Sequence, residues 1–74
     1  MNYFPNKKIV LSLRERYPKH TRVELVEMND PYSKLVHGDQ GFVECIDDTG
    51  TIFVQWDNRE SLGIVYGEDR IRKV

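Results

Sequence analysis

Gly41-Phe42-Val43-Glu44-Cys45-Ile46-Asp47-Asp48-Thr49-Gly50-Thr51-Ile52-Phe53-Val54-Gln55-Trp56-Asp57-Asn58 is the stretch that decides the fold. Two runs of apolar and β-branched residues flank the turn Asp47-Asp48-Thr49-Gly50, which is the pattern of a β-hairpin. Gly50 suits the left-handed position of such a turn. On the second strand Ile52, Val54 and Trp56 share one face, and Thr51, Phe53 and Gln55 share the other. Cys45, inside the first strand, is expected to be a small buried residue.

Residues 21–28 read as an earlier strand in which Val23 and Leu25 alternate with Arg22 and Glu24, followed by a kink before Glu27. Asn29-Asp30-Pro31 breaks it. Residues 32–40 form a long loop, with Tyr32, Leu35 and Val36 as its expected anchors. After the hairpin, Asp57–Glu60 is a turn and residues 61–65 a short strand. Gly67-Glu68-Asp69 is a tight connection, and residues 70–74 are a fifth strand with Ile71 inward. Five short strands separated by turns predict a small five-stranded barrel over residues 21–74.

Residues 6–17 carry the other periodicity. Ile9, Leu13 and Tyr17 recur at helical spacing, Val10 widens the stripe, and Asn6 is a natural N-cap. Pro18 ends the helix near Arg16. So short a helix is marginal alone and is expected to pack its stripe on the strands. The fold class is therefore mainly β, with one N-terminal helix.

A chain of 74 residues is one domain, residues 1–74, with a small core. The single cysteine, Cys45, rules out an intrachain disulfide and points to a reducing compartment. The longest apolar run near the N-terminus, Ile9-Val10-Leu11, is too short for a signal-peptide core or a membrane span. A soluble, cytoplasmic protein is expected. The net charge of −1 conceals an asymmetry. Residues 1–22 hold six basic side chains (Lys7, Lys8, Arg14, Arg16, Lys19, Arg22) and one acidic; residues 23–74 hold five and eleven. That is a basic arm on an acidic body.

Residues 16–74 resemble a small family catalogued as domain of unknown function 4314. The resemblance is carried by Arg16-Tyr17-Pro18-Lys19, Thr21-Arg22-Val23-Glu24-Leu25-Val26, Met28, Asp30-Pro31-Tyr32, Gly38, Gly41, Asp47-Asp48, Gly50, Val54, Trp56-Asp57-Asn58, Ser61-Leu62 and Gly67-Glu68-Asp69-Arg70. It implies an SH3-like barrel, found in bacteria of the Firmicutes type, their phages and mobile elements. It implies no activity. Val54-Gln55-Trp56-Asp57-Asn58 with Tyr66-Gly67 is also similar to the Mib-Herc2 barrel, whose members bind protein tails and recruit substrates for ubiquitin ligases. This chain departs from that pattern at Arg59, where glycine is usual. Gly41-x-Val43 is similar to barrels of the KOW type.

Chemistry is sparse. Asp48-Thr49-Gly50 is the aspartic-protease tripeptide, but that reaction needs two such aspartates sharing a proton, and each of the three residues favours turns for local reasons. His20, His37 and Cys45 have no zinc-site spacing. No phosphate loop or nucleophile elbow appears. No cofactor and no catalysis are expected.

Aromatics make the stronger case. Tyr32, Phe42, Phe53, Trp56 and Tyr66 are expected around the barrel, where aromatic side chains near loops form peptide grooves. Tyr32, Trp56 and Tyr66, with Asp57 and Glu68 as polar partners for a basic ligand, are the candidate partner-binding residues. The competing reading puts Trp56 in the core, since it shares a face with Ile52 and Val54. The expected function is a non-enzymatic protein-binding module, an adaptor or inhibitor from a phage or mobile element acting on a host protein. A second reading is nucleic-acid association through Lys7, Lys8, Arg14, Arg16, Lys19 and Arg22, opposed by the acidic body. A third is homo-oligomerisation, with the basic helix of one subunit on the acidic barrel of another.

Overall fold

The computed structural model describes residues 6–74; the readings that touch residues 1–5 lie outside them. Helix α1 spans Lys7–Arg16, and the Asn6 side chain accepts the amide of Ile9 as its N-cap. Arg14 and Arg16 sit in the last turn, where cations suit the helix dipole. Tyr17 closes the helix by donating its amide to the Leu13 carbonyl at 2.8 Å, and Pro18 prevents its continuation. The chain then reverses through His20, whose φ of 78° is left-handed.

Five strands follow: β1 Arg22–Glu27, β2 Gln40–Ile46, β3 Ile52–Trp56, β4 Gly63–Ile64 and β5 Arg70–Lys73. All pair antiparallel in one sheet of order β4-β3-β2-β1-β5. The first four strands form a meander, and β5 returns to pair with β1. The edge strands β4 and β5 share no ladder among the described residues, so the sheet is open.

It is nevertheless curled. Flat, five strands would hold their edges about 19 Å apart, at ~4.8 Å per neighbour. Only the Val65–Asp69 turn connects these edges, and it folds tightly: Glu68 and Asp69 both donate amides to the Val65 carbonyl at 3.0 Å. The two edges must therefore approach each other. Bulges in β1, between Leu25 and Glu27, and in β2, between Val43 and Cys45, supply local coiling.

The β2 bulge corrects one expectation. Val43 pairs with Val54 and Cys45 with Phe53, leaving Glu44 as the extra residue. The inward alternation resets there: Gly41, Val43 and Ile46 are buried, while Glu44 and Cys45 are both exposed. Cys45 is thus a surface thiol. In the loop before β2, Leu35 alone anchors; Tyr32 is 92% exposed and Val36 is exposed.

The core lines the concave face of the sheet: Val23, Leu25, Val43, Ile46, Ile52, Val54, Trp56 and Ile64, joined by Leu35 from the loop. Leu13 and Tyr17 of the helical stripe pack into it. Gly41 brings β2 against β3 so closely that a Cβ there would lie 2.5 Å from the Gln55 carbonyl oxygen. The hairpin turn is held by Asp47, whose Oδ1 accepts from the Thr49 amide, the Thr49 hydroxyl and the Thr51 amide. Gly50 takes φ 81°. These bonds to the ionised carboxylate, the Thr49 hydroxyl foremost, hold the Asp47 pKa below its ordinary value. The Asp-Thr-Gly tripeptide is therefore a turn element here.

Candidate functional site

Curling of the sheet creates a concavity. Between the edges of β4 and β5 lies a groove of about 610 Å³. Leu13, Arg16 and Tyr17 bring in the end of α1, and Glu27 and Asn29 the end of β1. Ile52 and Ile64 line it from β3 and β4; Tyr66, Gly67, Glu68 and Asp69 from the turn; Arg70 and Ile71 from β5. Leu13, Tyr17, Ile52 and Ile64 belong to the core, and Ile71 packs against it.

The turn that forms one wall is tightly braced. Asp69 accepts the Asn29 amide on Oδ1 at 2.9 Å and the Val65 amide on Oδ2 at 3.0 Å. Asn29 donates its side-chain amide to the Glu68 carbonyl. Gly67, at φ 86°, makes the turn possible. Asp69 is thereby occupied as a structural acceptor. Arg16, Glu27, Glu68 and Arg70 hold no ion pair among the described residues. At the helix end the Tyr17 ring receives two cations, with the Arg16 guanidinium 5.3 Å and the Lys73 ammonium 5.5 Å from its centroid.

Tyr66, 45% exposed, and Glu68 come together on this groove. The other three candidates do not reach it. Trp56 is 2% exposed, and its indole N–H donates to the Leu62 carbonyl at 3.0 Å. It is a core residue, because its alternation with Ile52 and Val54 points it inward. Asp57 accepts the Arg22 guanidinium, with Arg22 Nη1 2.8 Å from Asp57 Oδ1. Those bonds lower the Asp57 pKa and raise that of Arg22. Tyr32 projects from the loop between β1 and β2.

The basic set is divided. Arg14 donates to the Ile46 carbonyl and pairs with Asp48, fastening the helix to the hairpin turn. Arg22 is committed to Asp57 and Gln40 and lies over the Phe42 ring at 4.6 Å. Lys7 borders a smaller depression with Val10, Leu11, Arg14 and Asp48. Lys8 and Lys19 are exposed, and Arg16 lines the groove. Sequence reasoning missed Ile64, Arg70 and Ile71 as groove residues. The shortness of the strand before Val65 was the one available signal.

Among the described residues no group of three or more His, Cys, Asp or Glu side chains is placed to hold a metal ion. No described helix is long and apolar enough to cross a membrane.

An open, curled antiparallel sheet capped by a helix, with a groove between its edges, defines a small mainly-β domain. The family model described as domain of unknown function (DUF4314) matches residues 6–74, and the chain belongs to that family. No curated protein matches the chain, and no solved structure matches it.

Proposed function

We propose that this chain is a non-enzymatic protein-binding module built on an SH3-like barrel, and that the groove between β4 and β5 is its binding surface. The role we assign is that of an adaptor or inhibitor, encoded by a phage or mobile element and acting on a host protein in the bacterial cytoplasm. The observation that carries this reading is the groove itself. Its volume falls within the ~300–1,000 Å³ common for binding sites, its lining mixes core residues such as Ile52 and Ile64 with charged and polar ones, and two sheet edges flank it. Sheet edges and apolar grooves are recurrent peptide-binding features. The barrel is supported by the return of β5 to β1 and by the curl that brings β4 toward β5.

The test is capture from nuclease-treated bacterial lysate with the full chain and with a Tyr66→Ala variant. The side chain is exposed, so the variant is expected to keep its fold by circular dichroism. A protein retained by the parent and lost with the variant supports the reading; equal retention sinks it.

One observation favours a second reading. Lys7, Lys8 and Lys19 are exposed and form no ion pair among the described residues, as expected of phosphate-contacting side chains. Nucleic-acid binding through them predicts a gel shift that fades steeply with salt. Absence of any shift at low salt removes that alternative.

A further inference from the structure

Resting on that groove, we infer that its occupant is an extended acidic segment of the partner protein, which adds as a sixth strand along the open edge of β5. Backbone register comes first. Val74 donates its amide to the Arg22 carbonyl at 3.2 Å. Alternation along an antiparallel ladder then turns the amides and carbonyls of Ile71 and Lys73 away from β1, toward the open side. These are unpaired ladder groups of the kind that strand addition uses. Ile71 lines the groove, so an added strand meets apolar surface as it meets these groups.

Charge selects the ligand. Lys73 and Arg16 converge on the Tyr17 ring, and neither has a carboxylate partner among the described residues. Two like charges held near one ring repel, and a carboxylate between them is attracted to both. Arg72, between Ile71 and Lys73, is already paired with Glu24, a bond that also lowers the Glu24 pKa. Arg70 faces Glu27 across the ladder, and Glu68 stands nearby in the turn. The acidic groups therefore cluster at the start of β5 and the unmatched cations at its end. Ligand carboxylates are expected opposite the Ile71–Lys73 end.

A second copy of the chain is the poorer occupant. Pairing β5 with a second β5 would crowd Arg70, Arg72 and Lys73 against the same three cations of the copy, and like charges across a ladder destabilise it.

The experiment pans a random-peptide display library on the full chain. The strongest sequence is then synthesised and tested by titration and amide hydrogen exchange. The expected result is enrichment of segments about five residues long with Asp or Glu at alternating positions and β-branched residues between. Binding is expected to slow exchange at the Ile71 and Lys73 amides, and Arg16→Glu/Lys73→Glu is expected to weaken it about tenfold or more. Enriched peptides that are basic or uncharged overturn the inference and leave the groove reading standing. Acidic peptides that leave both amides unchanged overturn strand addition, as does doubling of the chain's mass in sedimentation through β5. No enrichment at all removes the groove reading along with the inference.

Discussion

Replacing Trp56 by Ala is expected to unfold much of the population rather than to probe binding. The side chain is buried, and its N–H satisfies the Leu62 carbonyl at 3.0 Å. Truncating a core Trp to Ala costs about 3–5 kcal/mol, and an orphaned carbonyl adds up to about 1–3 kcal/mol. A domain of 74 residues has a total stability of about 4–11 kcal/mol at roughly 0.05–0.15 kcal/mol per residue. The substitution therefore removes from about a quarter to the whole of the stability. At roughly 4–8 °C per kcal/mol in domains of this size, the melting temperature falls by about 12 °C or more. Trp56→Phe keeps a ring but loses the hydrogen bond, and is expected to cost at least about 1 kcal/mol. The assay is urea and thermal unfolding read by far-ultraviolet circular dichroism, since the variants lack the only tryptophan. A Trp56→Ala protein within about 0.5 kcal/mol of the parent, the range of ordinary surface changes, refutes the placement of this ring in the core.

Gly41→Ala is expected to destabilise by about 1–3 kcal/mol or more, because the new Cβ lies 2.5 Å from the Gln55 oxygen and 2.8 Å from Trp56 Cα; a melt unchanged from the parent contradicts that close approach. Asp47, Asp57 and Glu24 all have folded pKa values below their ordinary 3.8, 3.8 and 4.5. For carboxylates so depressed, the stabilisation is present above the unfolded value and is lost as pH falls through the folded one. The melting temperature is therefore expected to hold level above about pH 5 and to drop below about pH 4; in Asp47→Asn/Asp57→Asn the acid drop shrinks, and an equal drop in that variant refutes the assignment. Cys45 is expected to react fully with a thiol reagent without denaturant, and a thiol that reacts only on unfolding contradicts the β2 bulge.

Local chemistry made the elements readable. Ile9, Leu13 and Tyr17 at helical spacing, with Asn6 before them, mark α1 because a helix repeats its face on that period. Ile52, Val54 and Trp56 mark β3 because a strand alternates, and Gly50 marks the turn because its φ is left-handed. Two things escaped. The bulge at Glu44 depends on how β2 pairs with β3, and nothing in Val43-Glu44-Cys45 distinguishes a bulged strand from a regular one, so alternation alone puts Cys45 on the wrong side. The groove depends on curl, which brings Leu13, Arg16 and Tyr17 to Ile64, Arg70 and Ile71 from opposite ends of the chain. Tyr66 and Glu68 could be picked out as an aromatic and an acid beside a turn. Tyr32 and Asp57 satisfied the same description, and only the pairing of Asp57 with Arg22 and the outward course of the β1–β2 loop separate them from the site.

The most direct test of the groove as a protein-binding surface is photo-crosslinking in bacterial cells. A photoreactive residue is placed at Tyr66, and separately at Tyr32 and Phe42, which are exposed and lie off the groove. A nuclease-resistant protein adduct is expected from position 66 and none from positions 32 and 42. Adducts from 32 or 42 with none from 66, or adducts that vanish on nuclease treatment, would contradict the groove as a protein-binding surface.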